Sequence, residues 1–259
     1  MKLSNRKALE AAVEAARAVG KLMLKNWRAT KAVNSETQHD IKLELDVRSQ
    51  KLIEKMLHRK YPEVAVLGEE GQGGDQSAEH RWVIDPIDGT VNFSYEIPHA
   101  CVSIALQVRN KSGYETLVGV VYDPFCNELW TAIRGQPARL NGKIIRVSKR
   151  ARLENSIVSI GFGKSKASVD ASLLYFNQLL QRIRKVRMMG SAALALVYVA
   201  SGRFDAYVES HISLWDIAAG GLILECAGGE FWNRSIEGEH AYRILANNGL
   251  LRRQLEKLR

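Results

Sequence analysis

A short apolar run that ends in two carboxylates constrains this chain more than any other stretch. The residues Trp-Val-Ile at 82–84 predict a buried strand that ends where Asp-Pro-Ile-Asp-Gly follows at 85–89. Because proline fixes φ at about −65° and lacks an N–H, we expect a turn there, and glycine permits close approach of a small group. The turn would bring Asp85, the carbonyl of Ile87 and Asp88 to one point.

Two interpretations of this turn remain open from its own residues. Hard oxygen ligands without any Cys or His suit Mg²⁺ or Mn²⁺ rather than zinc. The same residue types are also ordinary turn formers, so Asp-Pro-x-Asp-Gly is equally compatible with a plain turn. Acids elsewhere in the chain are needed to decide between a turn and a cation site.

The composition predicts a globular protein with a basic surface. The 259 residues are 46% hydrophobic and 25% charged, which is enough apolar material for a full core, and disorder is not expected. Lys and Arg outnumber Asp and Glu by 37 to 28, and this excess could attract phosphorylated substrates, nucleic acid or anionic surfaces.

Cysteine usage and hydropathy bear on the compartment. Cys101, Cys126 and Cys226 are far apart in sequence and lie among apolar neighbours, so we expect reduced core residues of a cytoplasmic protein. Charges interrupt residues 1–27, and no stretch reaches the roughly 20 apolar residues of a membrane span. Neither a signal peptide nor a membrane segment is therefore expected.

Hydrophobic periodicity predicts an α+β chain with a soft domain boundary near residue 150. In 1–150 it predicts amphipathic helices at 5–27 and 41–60, a mobile loop at 28–40 and a strand at 64–67. Further strands are predicted at 101–108, 117–122, 128–133 and 144–147, and the turn residues between them indicate an antiparallel meander.

The part from 151 to 259 alternates strands and helices. Strands are predicted at 157–162, 204–209, 230–232 and 242–246, and helices at 169–184, 191–200, 214–227 and 249–258. The N-terminal part would thus consist of helices and an antiparallel sheet that carry most of the acids discussed next, and the C-terminal part would be α/β.

Carboxylates also accompany two other predicted elements. Glu69 and Glu70 follow the strand at 64–67, and Asp216 opens the helix at 214–227. Taken alone, Asp216 is compatible with an ordinary acid at a helix N-terminus, where the helix dipole favours it. Acids from three separate segments, set against glycine and small residues, are nevertheless what a multi-Mg²⁺ site for phosphate chemistry requires. The chain lacks H-x-H, H-E-x-x-H and G-x-x-x-x-G-K-[ST] patterns, which disfavours zinc hydrolases and P-loop nucleotide hydrolases.

Three ordered motifs closely resemble those of the inositol monophosphatase family, within the lithium-sensitive, Mg²⁺-dependent phosphatase superfamily. Trp-Val-Ile-Asp-Pro-Ile-Asp-Gly-Thr at 82–90 resembles the first signature, Trp-Asp-Ile-Ala-Ala-Gly at 215–220 the second, and Gly-Glu-Glu at 68–70 the upstream acidic element. The resemblance covers most of the chain. It implies a layered αβαβα sandwich of the inositol monophosphatase and fructose-1,6-bisphosphatase type, usually assembled as a homodimer.

The resemblance also implies a role for individual residues. The implied ligands of two or three Mg²⁺ ions are Glu69, Asp85, the Ile87 carbonyl, Asp88 and Asp216. Asp46 on the second helix and Thr90 would orient the attacking water beside Glu69. The backbone N–H groups of Gly89 and Thr90 would hold the phosphate. Asp216 would also lie beside the leaving oxygen, where a proton must be supplied.

Contacts to the alcohol half of the substrate are implied for a second set of residues. These are Arg187, Gly190, Ser191, Ala192, Glu209 and Asp216. For Arg187 a solvated basic face is the alternative, because other basic residues precede it. The chain departs from the family before the second helix, where Lys42 replaces a small apolar residue and Glu44 follows, and Lys31 is out of register with the family's mobile-loop lysine.

The leading functional hypothesis is a Mg²⁺-dependent phosphomonoesterase acting on a small polyol or sugar phosphate, inositol monophosphate above all, by attack of metal-activated water. Fructose-1,6-bisphosphate, histidinol phosphate and 3′-phosphoadenosine 5′-phosphate are alternatives within the same chemistry. A different class is a protein that binds RNA or the transcription machinery through basic runs at 143–152, 182–187 and 252–259. Aromatic interleaving and recognised nucleic-acid motifs do not accompany those runs.

Overall fold

The computed structural model describes residues 3–37, 40–111, 113–162, 166–238 and 240–258. Within these ranges the helices are α1 (Asn5–Asn26), α2 (Glu44–His58), α3 (Thr90–Ser94), α4 (Lys166–Leu180), α5 (Ala192–Ala200), α6 (Leu214–Cys226) and α7 (Arg252–Glu256). A single 3-10 turn is described, at Leu153–Asn155.

The strands of the described residues form three sheets. In spatial order, the eight-stranded sheet consists of β10 (Lys143–Ile144), β9 (Arg139–Leu140), β8 (Glu128–Ile133), β7 (Gly113–Asp123), β6 (Cys101–Asn110), β5 (His80–Asp88), β3 (Ala65–Gly68) and β4 (Gly71–Gly73). The five-stranded sheet consists of β12 (Lys185–Arg187), β11 (Ile157–Ile160), β13 (Ala206–Ser213), β15 (Ala241–Asn247) and β14 (Glu230–Ser235). A separate hairpin pairs β1 (Val33–Thr37) with β2 (Asp40–Leu43). Parallel pairing joins β3 to β5 and β11 to both of its neighbours.

Three hydrophobic cores hold the helices and sheets together as five layers. Helices α1 and α2 cover one face of the eight-stranded sheet. Helices α5 and α6 fill the space between the two large sheets. Helices α4 and α7 cover the outer face of the five-stranded sheet. The order is therefore αβαβα, which confirms the predicted fold class.

Strand β5 is buried on both faces because it lies between two of these helical layers. Trp82 and Ile84 pack in the core below α1 and α2, whereas Val83 packs in the core with α5 and α6. Successive side chains of a strand point to opposite faces, so a strand covered on both sides reads as a continuous apolar run. The prediction of a buried strand from Trp-Val-Ile is confirmed.

Helix α6 lies very close to its neighbours because small residues line the contacts. A Cβ atom added to Gly119 of β7 would lie 2.7 Å from the carbonyl oxygen of Ala219 on α6. A Cβ added to Gly221 of α6 would lie 2.5 Å from the ring of Phe231 on β14. The backbone of α6 is thus pressed against the eight-stranded sheet on one side and β14 on the other, and the position of its first turn is fixed accordingly.

The predicted end of the strand at Asp-Pro is wrong. Strand β5 continues through Pro86 to Asp88, and its pairing with β6 shifts register between Asp85 and Asp88. A β-bulge tolerates proline because the bulged residue is left out of the hydrogen-bond ladder. The carboxylates therefore project from a bulge inside the sheet rather than from a turn beyond its end.

The predicted loop at 28–40 and the start of the second helix are also corrected. The segment contains the hairpin β1–β2, although residues 38 and 39 lie outside the described ranges. Every residue of β1 is exposed, so its sequence lacks the alternation that marks a half-buried strand. Helix α2 begins at Glu44 rather than at 41, because a carboxylate oxygen of Asp46 accepts the backbone N–H of Leu43 at 2.7 Å and caps the helix there.

Other boundaries move by a few residues. The strand predicted at 144–147 is the short β10, and the terminal helix predicted at 249–258 is the five-residue α7. The helix predicted at 169–184 is α4, which ends at Leu180, and the residues after it form a turn before the edge strand β12. Strand β4, rich in glycine, was not predicted.

The predicted boundary near residue 150 falls between the two large sheets. The eight-stranded sheet ends at Ile144 and the five-stranded sheet begins at Ile157 along the chain, but the core around α5 and α6 contains residues from both parts. A division into domains at 1–150 and 151–259 therefore stays a prediction. Among the described helices, none has the length and apolar character required to cross a membrane.

Candidate active site

A cavity of about 690 Å³ opens at the carboxylate end of β5, between the two large sheets. The bulge of β5, the start of α3, the loop before α5 and the start of α6 all contribute to its wall. The site is therefore built from segments that are more than 100 residues apart in sequence and that the five-layer packing brings together.

Three carboxylates converge in this cavity. One oxygen each of Asp85, Asp88 and Asp216 can be chosen so that all three lie within 4.8 Å of one another. Asp85 and Asp88 come from the bulge of β5, and Asp216 is the third residue of α6. A carboxylate oxygen of Asp216 accepts the backbone N–H of Ser213 at 3.0 Å, so this residue is a helix cap and a member of the cluster at once.

Among the described residues, no Lys or Arg forms a salt bridge with Asp85, Asp88 or Asp216. Burial raises the pKa of Asp85 well above its ordinary value, and the charges of Glu69, Asp88 and Asp216 raise it further. Burial, followed by the charge of Asp88, raises the pKa of Asp216 to about 7. In the described parts of the chain, Lys and Arg side chains form their salt bridges with other acids. These buried carboxylates repel one another, and all the ligand atoms they offer are oxygens. Both properties suit a hard divalent cation.

Asp88 is held by the start of α5. The hydroxyl of Ser191 donates to one carboxylate oxygen at 2.6 Å, and the N–H of Ala193 donates to the same oxygen at 2.7 Å. The N–H of Ala192 donates to the other oxygen at 3.2 Å. Burial raises the pKa of Asp88, and these three donors oppose that rise. The segment predicted to contact the substrate is thus bonded directly to a predicted metal ligand.

Glu69 lines the same cavity and is positioned by α2. Gln50 of α2 accepts the N–H of Glu70 at 2.9 Å and donates to the carbonyl of Gly71 at 3.1 Å. A Cβ at Gly68 would lie 2.2 Å from the amide oxygen of Gln50, so glycine is required for this close approach. One helix side chain therefore fixes the acidic segment from both sides.

The beginning of α3 forms the wall next to the acids. Gly89 has a φ of 98°, and a Cβ there would lie 2.9 Å from the carbonyl oxygen of His99, so only glycine fits. The hydroxyl of Thr90 donates to the carbonyl of Ile87 at 2.9 Å, and the N–H of Ile87 donates to Asp85 at 3.0 Å. These bonds fix the backbone that connects the two carboxylates of the bulge.

The family model for inositol monophosphatases matches residues 4–258. The chain belongs to the inositol monophosphatase family. This confirms the resemblance drawn from the three motifs.

Some similar proteins are named SuhB and others are named inositol monophosphatase. The Nus factor SuhB of Escherichia coli K12 is 38% identical over 245 residues, which are 92% of this chain and 89% of that protein. Among solved structures, the inositol monophosphatase of Anabaena superposes with a TM-score of 0.85 at 33% identity, covering 98% of this chain and 95% of the other. The extragenic suppressor protein suhB of Bartonella henselae gives a TM-score of 0.88 at 31% identity, covering 97% and 98%.

Most of the residues predicted from the inositol monophosphatase family line the cavity. They are Glu69, Asp85, Ile87, Asp88, Gly89, Thr90, Gly190, Ser191, Ala192, Glu209 and Asp216. Arg187 does not line it. The Arg187 side chain is exposed and donates to the carbonyl of its neighbour Val186 at 2.9 Å. Its contact with a substrate stays a prediction, as do the roles of the residues that line the cavity.

Asp46 is also not among the residues that line the cavity. It is 2% exposed, and its second carboxylate oxygen has no hydrogen-bond partner among the described residues. Burial raises the pKa of Asp46 to about 8, and the charges of Glu69 and Glu70 add to the effect. The prediction that Asp46 orients a water molecule is untested by this geometry.

Two residues of the site have roles that sequence reasoning did not anticipate. Tyr207 donates its buried hydroxyl to Glu209, and it lies two residues earlier on β13, a spacing that places both side chains on one face. Asn92 donates its amide to the carbonyls of His99 at 2.9 Å and Met189 at 2.8 Å, and so connects α3 to the loop before α5. The alternation of side chains along a strand could have pointed to Tyr207, which shares a face with Glu209. No local sequence pattern indicates that Asn92 contacts Met189, 97 residues away.

Proposed function

We propose that this protein is a Mg²⁺-dependent phosphomonoesterase that hydrolyses a small polyol or sugar phosphate, with inositol monophosphate as the favoured substrate. The observation that carries this proposal is the convergence of Asp85, Asp88 and Asp216 in a cavity of about 690 Å³. The family and its solved structures support it independently.

The chain offers a set of oxygen ligands for two or three Mg²⁺ ions. We assign Glu69, Asp85, the carbonyl of Ile87, Asp88 and Asp216 to them, because all five line one cavity and none is a nitrogen or sulfur donor. When bound, Mg²⁺ would act as a Lewis acid on the phosphate oxygens and increase the acidity of a nearby water.

The remaining groups would position the reactants. Gly89 and Thr90 line the cavity, and their backbone N–H groups would hold phosphate oxygens. The carboxylate oxygen of Asp46 that has no partner among the described residues would accept a hydrogen bond from water, together with Thr90. Asp216 is assigned to the position beside the leaving oxygen.

The alcohol half of the substrate would lie against the second sheet. Glu209, Ser191 and Ala192 line that side of the cavity, and Glu209 is fixed by Tyr207. A carboxylate in this position accepts hydrogen bonds from hydroxyl groups, which favours a polyol or a sugar over an apolar alcohol.

A phosphate-release assay tests the proposal. Inositol 1-phosphate, fructose-1,6-bisphosphate, histidinol phosphate and 3′-phosphoadenosine 5′-phosphate are compared with Mg²⁺ and with EDTA. We expect inositol 1-phosphate to be hydrolysed fastest, release to require Mg²⁺, and Li⁺ to inhibit it. If none of the four esters releases phosphate in the presence of Mg²⁺, the proposed activity is wrong, and if another ester is preferred, only the substrate assignment changes.

A second function is favoured by the relatives named Nus factor SuhB, and we propose it as an additional role. The basic run at 182–187 lies next to and along the edge strand β12, where Arg182, Arg184, Lys185 and Arg187 are all exposed. An exposed basic edge provides charge for binding RNA or an acidic face of the transcription machinery. The basic run at the C-terminus ends in residue 259, which lies outside the described residues.

The two roles can be separated experimentally. A gel-shift series with RNA at physiological salt compares the wild type, a variant with Arg182 and Arg184 changed to Glu, and Asp216→Asn. We expect retention in the wild type and in Asp216→Asn and loss in the double variant. Absence of retention in the wild type would leave the basic surface without this role. Sedimentation of the same samples tests the homodimer that the family resemblance predicts.

A further inference from the structure

Lys42, one of the positions where the chain departs from the inositol monophosphatase family, brings a positive charge to the acidic segment after β3. It lies on β2, opposite Ser35 of β1. Its ammonium nitrogen is 3.5 Å from a carboxylate oxygen of Glu70. The Glu70 side chain is 8% exposed and that of Lys42 is 40% exposed, so the pair lies at the edge of the interior. The residue roles assigned above make no use of this pair.

Helix α2 fastens the backbone next to both partners of the pair. The N–H of Leu43, which follows Lys42, donates to Asp46 in the first turn of α2 at 2.7 Å. The N–H of Glu70 donates to Gln50 of the same helix at 2.9 Å. Because one helix holds both segments, the two side chains start from fixed positions and lose less conformational freedom when they pair.

The positive charge lies beside a second group of acids, which consists of Asp46, Glu69 and Glu70. The charges of Glu69 and Glu70 raise the pKa of Asp46, and the charge of Lys42 opposes that rise. Glu69 lines the large cavity, and its charge also raises the pKa of Asp85 in the cluster there. The charge of Lys42 is therefore placed among carboxylates that are coupled to the candidate metal site.

We propose that Lys42 is a built-in counter-ion of this second acidic group and that it lowers the affinity of the protein for its most weakly bound Mg²⁺ ion. A fixed ammonium group repels a divalent cation that approaches the same carboxylates. A small apolar residue at this position would leave the charge of Glu70 without this partner. Since the proposed function assigns Glu69 to Mg²⁺, the role of Lys42 rests on that function. Lys42 is a positioning residue, because it acts on the ion through the acids.

Titration calorimetry of the full chain with MgCl₂, after removal of bound metal with EDTA, tests this role. Lys42→Met should lower the Kd of the weakest Mg²⁺ site at least about threefold, because it removes the repelling charge. Lys42→Arg keeps the charge and should stay within about twofold of the wild type. Lys51→Met removes an exposed lysine of α2 and is the matched control, with an unchanged Kd. A gain in affinity cannot arise from a folding defect.

A double-mutant cycle with Glu70 separates a counter-ion from an ordinary surface ion pair. Glu70→Gln leaves Lys42 without its partner and should raise the Mg²⁺ Kd at least about threefold. The double variant Lys42→Met with Glu70→Gln loses both charges, and its Kd should return to within about twofold of the wild type.

Three results would overturn the role of Lys42. If Lys42→Met binds Mg²⁺ like the wild type, Lys42 is an ordinary ion pair, and the proposed phosphatase function is unaffected. If the double variant binds as weakly as Glu70→Gln, Glu70 acts as a ligand of the ion and Lys42 is not its counter-ion. If the wild type binds no Mg²⁺, the metal assignment of the proposed function fails, and the role of Lys42 fails with it.

Discussion

Two buried aspartates show how differently this chain treats a charge in its interior. Asp205, before β13, is fully buried, and its carboxylate accepts hydrogen bonds from Arg150, Ser148 and the backbone N–H of Ile157. Asp85 in the bulge of β5 is equally buried, at 1% exposed, but other acids surround it.

The difference indicates what each residue is for. Burying a carboxylate costs several kcal/mol unless donors or a counter-ion accompany it. At Asp205 the protein supplies both, and the result is a junction that fastens the segment before β11 to the five-stranded sheet. At Asp85 none of the described Lys or Arg residues forms a salt bridge, so the cluster is suited to a cation that comes from outside. Removing the charge of Asp205 should therefore lower stability and spare activity, whereas removing a charge from the acidic cluster should lower activity and spare stability.

The largest effect is expected from Asp216→Asn. Loss of one carboxylate from the cluster should lower kcat/KM for inositol 1-phosphate at least about 1000-fold, which corresponds to about 4 kcal/mol of transition-state stabilisation. Because the variant relieves repulsion, the melting temperature without Mg²⁺ should be equal to or higher than that of the wild type. Full activity, or a large loss of stability in EDTA, would contradict the assignment of Asp216 to the metal site.

Asp205→Asn should show the reverse pattern. Removal of the charge that pairs with Arg150 at 2.7 Å should lower the free energy of unfolding by about 3 kcal/mol. The kcat per folded molecule should stay unchanged, because Asp205 does not line the cavity. Urea denaturation and steady-state kinetics measure the two quantities. Asp75→Asn, an exposed acid, is the matched control and should change stability by less than about 0.5 kcal/mol.

The pH dependence of stability sharpens the comparison further. The folded pKa values of Asp216, about 7, and of Asp46, about 8, are higher than the ordinary value of 3.8 expected in the unfolded chain. Between pH 3.8 and the folded pKa values, the folded protein binds more protons than the unfolded chain. The free energy of unfolding without metal should therefore fall as the pH rises through this range.

Thermal melts with EDTA and with Mg²⁺ measure this dependence. Mg²⁺ should raise the melting temperature by several degrees at about pH 8 and by little at about pH 5, where protons compete for the carboxylates. In Asp216→Asn this pH-dependent gain should shrink, whereas in Asp205→Asn it should persist. A gain from Mg²⁺ that does not vary with pH would mean that the cluster is not the binding site.

The smallest effect concerns Glu209, an acid held by a neutral donor. Tyr207→Phe removes the hydroxyl that orients Glu209 but keeps the ring in the core. Loss of one hydrogen bond of about 1 kcal/mol predicts a KM for inositol 1-phosphate about fivefold higher, with kcat changed less than twofold. Tyr61→Phe, in the core under α1 and α2, is the control. An equal fall in kcat and a constant KM would argue against a role in substrate binding.

The sequence predicted the acids of the site because each stands beside a strong local signal. A buried apolar run precedes both Glu69 and Asp85, and a helix of small residues follows Asp216. These signals arise from the burial of β3, β5 and α6 in the cores that hold the layers together. The acids of the cavity stand next to buried segments, so hydrophobic periodicity and the family motifs indicated the same residues.

The features that were missed depend on contacts without a local signature. In hairpin β1–β2 every residue of β1 is exposed, so hydrophobic alternation does not indicate this strand. The bulge at Pro86 depends on the partner strand β6, and the bridge from Asn92 to Met189 depends on the packing of the two parts of the chain.

Gly119, which does not line the cavity, would influence which cation the proposed metal site selects. It allows the backbone of α6 to touch β7, and β7 is two strands away from β5, so it helps to set the separation between Asp216 and the bulge. A methyl group there would push α6 outward and enlarge the space between the carboxylates. Preference for a small ion such as Mg²⁺ over a larger one such as Ca²⁺ would then be set partly by a glycine in the sheet. Efforts to retune the ion should begin at that contact as well as at the acids.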